Sequence, residues 1–331
     1  MLAAVLSVPL PIGSDYHWHL NIATMIADGN LRGAVDYLLS PAGNMFPYGF
    51  YVSVMHLFLV PTVWSGNPYF FEKVLQVLFL PLTLALTMWL VYKYASPKAA
   101  VYTGMALFGS WAFFDGAMQV RPESLDLLCY PLIVGAALSA KKWRFVGLAV
   151  FTVYGHGLAA LSNVVGLALV KWQQPNWRRA LTVGLIAIIP VLVVSALYVD
   201  GAFSKWGGAG LTENPQEVLF WTDPSFIPYY MGATVFGVPF LFKRGKSELL
   251  KLALWGLVGN LIMLPLWADR WLHYVSLPLA IFAGVGIAGL KKPEHRFYFA
   301  MALLAVFIVY VASYFSFSIG IEGHRFWQPG D

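Results

Sequence analysis

The chain has 331 residues, of which 59% are hydrophobic and 11% charged, with a net charge of +5 and a mean hydropathy of +0.67. An ordinary soluble domain carries about 25% charged residues, so this composition excludes a soluble globular enzyme and makes lipid the solvent for most of the chain. The basic residues form no nucleic-acid patch, and a single cysteine, Cys129, allows neither an intramolecular disulfide nor a cysteine metal site.

The expected fold class is all-α: a polytopic transmembrane helical bundle of about 9–11 membrane segments. It forms a single domain over residues 1–331 with no large soluble domain. Met1 to Ile12 is apolar but lacks the basic flank of a secretory signal, and reads as a short first span. Residues 13–45 form a first outer loop. Within it, Tyr16 to Ala27 carries Leu20, Ile22, Ala23, Met25 and Ile26 on an apolar side and ends at Gly29, which predicts an amphipathic helix lying on the membrane surface.

Stretches free of charge give further spans at 74–92, 99–114, 127–140, 180–199, 224–242, 252–268, 271–290 and 297–321. Fifteen of the 21 basic residues, from Lys93 and Lys98 through Lys171 to Lys291, Lys292 and Arg296, fall on one side of the alternating path and mark the cytoplasm. The opposite loops collect most of the acidic residues, among them Asp15, Asp115, Glu123, Asp126, Asp200 and Asp269. Two apolar segments return to the side on which they began. Residues 37–71, interrupted by Pro41, Pro47, Pro61 and Pro68, must be re-entrant or a hairpin. Residues 145–170, flanked by Arg144 and Lys171, fit two half-helices meeting at Tyr154-Gly155-His156-Gly157. Irregular backbone at membrane depth is tolerated only inside protein or along a cavity, so both point to a chamber that opens outward. A second outer loop, 200–223, is rich in glycine and reads as a lid or substrate loop.

Three polar constellations face that side. In Gly13-Ser14-Asp15-Tyr16-His17-Trp18-His19, a helix places Asp15 and His19 one turn apart on a shared face. Asp15 can then act as general base, with His17 or His19 orienting substrate or joining Asp15 at a metal. Ser14 or Asp15 is equally an ordinary N-cap. The second group is Asp115 with Arg121-Pro122-Glu123. Pro122 and Glu123 are standard helix-start signals, whereas Arg121 stands against the charge bias and suits a phosphate. The third is Trp267 to Tyr274, in which Arg270 beside Asp269 is another outer cation suited to phosphate; the alternative is a surface ion pair within an aromatic belt. His156 at the hairpin tip can reach the chamber, while His56 reads as structural. There is no phosphate-cradling Gly-Lys-Ser/Thr loop, no His-Glu-x-x-His and no dinucleotide fingerprint, which argues against nucleotide-fuelled chemistry.

These features together resemble the GT-C superfamily of integral-membrane glycosyltransferases. The resemblance rests on Asp15 and His19 in the first outer loop, a helix ending at Asp28-Gly29, Phe46-Pro47-Tyr48-Gly49-Phe50, the Arg121-Pro122-Glu123 span start, the hairpin tip at His156, and Asp269-Arg270 followed by Tyr274 and Pro278. It implies sugar transfer from a polyprenyl-phosphate donor to a glycan, lipid or protein acceptor, on the extracytoplasmic face of a bacterial or archaeal cytoplasmic membrane, with inversion at the anomeric carbon. It also implies that Asp15 is the base or a ligand of a divalent cation (Mg or Mn), that Asp115 or Glu123 is a second acid, and that Arg270 lies near the donor phosphate. His17, His19, Arg121, His156, Asp269 and Tyr274 would complete the substrate-binding set. Two other readings stay open: a non-catalytic GT-C-like subunit working with partner subunits, and a lipid or solute transporter.

Overall fold

In a computed structural model, residues 16–34, 54–118, 122–156, 158–205, 231–242, 247–263 and 268–320 are described, and among them every regular element is helical. In chain order the helices are α1 (Tyr16–Ala27), α2 (Val54–Trp64), α3 (Pro68–Tyr94), α4 (Pro97–Phe108), α5 (Trp111–Met118), α6 (Pro122–Leu138), α7 (Lys142–His156), α8 (Leu158–Trp172) and α9 (Pro175–Lys205). A 3-10 helix at Gly232–Phe240 follows, then α10 (Glu248–Met263), α11 (Ala268–Ala288) and α12 (Pro293–Gly320).

The bundle exposes apolar side chains on its outside and buries several polar ones within its apolar core. Along α9, Val183, Leu185, Ile186, Ile189 and Val193 are exposed, as are Leu78, Leu82 and Trp89 on α3 and Met301, Ile308 and Val309 on α12. Glu123, Asp126, Asn163, Asn260 and His273 are buried instead. Water penalises that distribution and a bilayer rewards it. Among the described residues two helices, at Val77–Tyr94 and Pro175–Val193, are by length and composition long and apolar enough to cross a membrane, and Val54–Trp64, Ala160–Trp172 and Leu272–Ala288 are shorter apolar helices.

α11 is the axis of the structure. From Leu272 to Gly284 its residues are buried without interruption, and it packs against α4, α5, α10 and the 3-10 helix. The approach to α4 is close enough that a Cβ on Gly284 would fall onto Thr103 Oγ1. α8 and α10 cross just as tightly, with Gly166 against the Trp255 carbonyl and Gly259 against that of Ser162. Small residues let backbones meet where no hydrophobic force drives helices together. Beside the α8–α10 crossing, Asn260 Nδ2 donates to Asn163 Oδ1 (2.7 Å) and Ser162 Oγ donates to Asn260 Oδ1 (2.7 Å).

Helix ends follow local chemistry. Ser96 caps α4, accepting from Ala99 N–H at 3.1 Å, with Pro97 in the first turn. The expected single span at 99–114 is instead two helices. Gly109 closes α4, Ser110 Oγ accepts from Phe113 N–H, and the freed Gly109 carbonyl accepts from Ala233 N–H at 2.7 Å. The segment expected as a span at 224–242 is described from residue 231 and is a 3-10 helix there. The segment at 145–170 is two helices of 15 residues, α7 and α8. Of the second outer loop, residues 200–205 continue α9; the rest of it, the first span and most of the first half of 37–71 lie outside the described residues.

α1 forms over its expected range and packs its apolar face on α2, burying Ile22 and Ala23 completely. It ends as a Schellman motif at Gly29 (φ 73°), with Asn30 N–H on Met25 O and Gly29 N–H on Ile26 O. α6 ends in the same motif, Lys141 N–H on Ala136 O and Ala140 N–H on Ala137 O, but the left-handed position is Ala140 (φ 54°). An L side chain costs about 1 kcal/mol there. Ala140→Gly should therefore raise the thermal stability of the detergent-purified protein by about 1 kcal/mol, and an unchanged or lowered melting temperature would contradict this geometry.

Candidate functional site

The start of α6, the end of α7 and the first turns of α11 meet at the end of the bundle opposite the basic loops. Helical spacing puts Glu123 and Asp126 on one face of α6, and both are buried, at 1% and 2% exposure. His156, the last residue of α7, reaches between them. Its Nδ1 lies 3.1 Å from Asp126 Oδ2 and 2.7 Å from Tyr274 Oη, and its Nε2 lies 3.7 Å from Glu123 Oε1. The Tyr274 hydroxyl donates to Asp126 Oδ2 at 3.2 Å.

Nδ1 thus lies within hydrogen-bond reach of both Asp126 Oδ2 and the Tyr274 hydroxyl, so either can hold the imidazole ring in place. Nε2 faces Glu123 on the other side. A carboxylate that holds the tautomer of an imidazole is the standard way to prepare a base. At 13% side-chain exposure, His156 is also the most accessible member of its contacts with the two acids.

Of the residues singled out by sequence, Glu123, His156 and Tyr274 come together here. His19 does not join them: it is buried between α1 and α2, with Nδ1 2.9 Å from His56 Nε2. His17, Asp115, Asp269 and Arg270 lie on α1, α5 and α11, with side chains outside the described set. Arg270 precedes Tyr274 by one turn of α11, and α5 rests on α11 where Gly116 abuts His273. Asp15 and Arg121 lie outside the described residues. Asp126 was counted only as an outer carboxylate, yet it joins His156 to Tyr274; the signal was its i+3 spacing from Glu123.

Among the described residues, no three His, Cys, Asp or Glu side chains form a group able to hold a metal ion. Of the pair that the sequence offers to a divalent cation, His19 lies against His56 and Asp15 falls outside the described residues.

No protein-family model and no curated protein sequence matches the chain. A solved structure does: ArnT from Cupriavidus metallidurans bound to undecaprenyl phosphate superposes with a TM-score of 0.60 at 15% sequence identity. The match covers 95% of this chain and 62% of that one, so the chain spans under two thirds of its structural neighbour. The chain thus has a helical fold like that of ArnT.

Proposed function

We propose that the protein is a membrane glycosyltransferase that moves a sugar from a polyprenyl-phosphate-linked donor to a glycan, lipid or protein acceptor on the extracytoplasmic face, with inversion. The observation that carries this is the Asp126–His156–Tyr274 cluster, an oriented imidazole between two buried carboxyl groups, set into a fold like that of a protein solved with undecaprenyl phosphate bound.

In this mechanism the acceptor hydroxyl loses its proton to Asp15 and attacks the anomeric carbon, while the bond to the donor phosphate breaks. Arg270, with Arg121, neutralises the charge that builds on the departing phosphate, the point at which fixed positive charge contributes most. His17, Asp115 and Asp269 belong to the substrate-binding set, with Glu123, His156 and Tyr274 on its inner side. No step is routed through a divalent cation.

Transfer from a labelled polyprenyl-phosphate sugar in reconstituted vesicles tests the proposal. Asp15→Asn should insert normally and lose transfer by at least about a hundredfold, the usual contribution of a positioned base. Normal transfer by this variant removes Asp15 from the mechanism and leaves His156, held by Asp126, as the base. Absence of transfer by the wild-type protein with every lipid-linked sugar offered would sink the proposal itself.

A further inference from the structure

Within the cluster and along the helices that carry or adjoin it, three buried polar atoms take no hydrogen bond from the described residues: Asp126 Oδ1 and Tyr130 Oη on α6, and Asn163 Nδ2 on α8. All three residues are at least nine-tenths buried. Asp126 and Tyr130 are four residues apart and share a face of α6. The Tyr130 hydroxyl rests on Gly256 of α10, where a Cβ would come to 2.5 Å from it. One turn further along α10, Asn260 Nδ2 donates both to Gly256 O (2.8 Å) and to Asn163 Oδ1. The three atoms therefore border the seam where α6, α8 and α10 pack together.

Their orientation is imposed by the bonds their other atoms make. His156 and Tyr274 both engage Asp126 Oδ2, which leaves Oδ1 as the other acceptor; a Cβ on Gly155 of α7 would lie 3.8 Å from it. Asn260 holds Asn163 by its carbonyl, which leaves the amide hydrogens as the free end. Each unsatisfied buried group costs about 1–3 kcal/mol, so each calls for a partner, either ordered water or a bound molecule. The set comprises an obligate acceptor, an obligate donor and a hydroxyl that does both. Neighbouring hydroxyls of a sugar ring, each able to donate and accept, satisfy all three. A phosphate is disfavoured by the carboxylate.

We infer that the seam bordered by Asp126, Tyr130 and Asn163 holds hydroxyl groups of the transferred sugar, while the lipid phosphate stays at the mouth near Arg270. This rests on the transferase proposal and adds to it the residues that choose the sugar. A pocket built to bond hydroxyls rejects analogues lacking them far more strongly than an apolar one rejects a change of size.

The test is binding of the purified full-length chain in lipid nanodiscs to bare polyprenyl phosphate and to polyprenyl phosphate carrying glucose, galactose, mannose or arabinose. At least one sugar-bearing lipid should bind about tenfold more tightly than the bare carrier, a difference of about 1.4 kcal/mol. Tyr130→Phe and Asn163→Leu should each erase that advantage and leave affinity for the bare carrier unchanged, which also shows that the variants fold. Should Asn163→Leu fail to fold, Tyr130→Phe decides. If no sugar improves on the bare carrier, or both variants keep the sugar preference, the seam holds water only and the inference is overturned while the lipid-carrier proposal stands. If the wild-type protein binds none of these lipids, both fall together.

Discussion

His156→Leu is expected to lose about 3 kcal/mol of stability, read as a lowered thermal or denaturant midpoint in detergent. The imidazole is the group that touches both acids, at 3.1 Å from Asp126 and 3.7 Å from Glu123. Leucine fills much of the volume but leaves two carboxyl groups facing one another in a low-dielectric interior. Asp126 keeps the Tyr274 hydroxyl, which places the loss at the lower end of the range for breaking buried ionic contacts. Tyr274→Phe, which removes one hydrogen bond and keeps the ring, should cost only about 1 kcal/mol. On the proposed mechanism, in which Asp15 is the base and His156 lines the substrate site, transfer by His156→Leu should also fall, mainly through a raised KM. Equal midpoints for His156→Leu and the wild-type protein would mean that the imidazole does not hold the acids together.

Gly166→Val should be about as damaging for a different reason. A Cβ at this position falls onto the backbone carbonyl of Trp255, and backbone cannot swing aside as a side chain can. α8 and α10 must separate, which also pulls apart the Ser162–Asn260–Asn163 hydrogen bonds beside the crossing. Overpacking of this kind costs up to about 3 kcal/mol, and here the upper end is expected. The check is a melting curve with Gly147→Val as control, since a Cβ on Gly147 meets nothing within 4 Å. Equal losses in the two variants would show that valine propensity, not the crossing, sets the effect.

The contrast between α7–α8 and α6 shows what was legible in the amino-acid order. The half-helix hairpin could be read because Arg144 and Lys171 carry the same sign on either side of an uncharged stretch, so the chain had to return. The start of α6 is legible too, since Pro122 and Glu123 are helix-start signals and the helix begins at Pro122; what charge counting hides, by opening the uncharged stretch at 127, is that both acids lie buried inside it. They are tolerated there because His156 and Tyr274, distant in sequence, meet them. No local rule sees partners 30 and 148 residues away. The same distance hid the engagement of His19 by His56, and hid Asn163 and Asn260, which look like isolated polar residues until α8 and α10 are packed. The break at Gly109-Ser110 was missed for the opposite reason: no charge interrupts the run, and only the glycine–serine pair marks it.

The hairpin also shapes the lipid around it. At about 1.5 Å per residue, a helix of 15 residues is about 22 Å long, against a hydrocarbon core about 30 Å thick. Helices this short pull the adjoining leaflets inward, because thinning the bilayer costs less than exposing polar helix ends to acyl chains. On the proposed function, such thinning beside His156 would bring the headgroup of a carrier lipid sideways toward that imidazole, without its having to be lifted from the membrane.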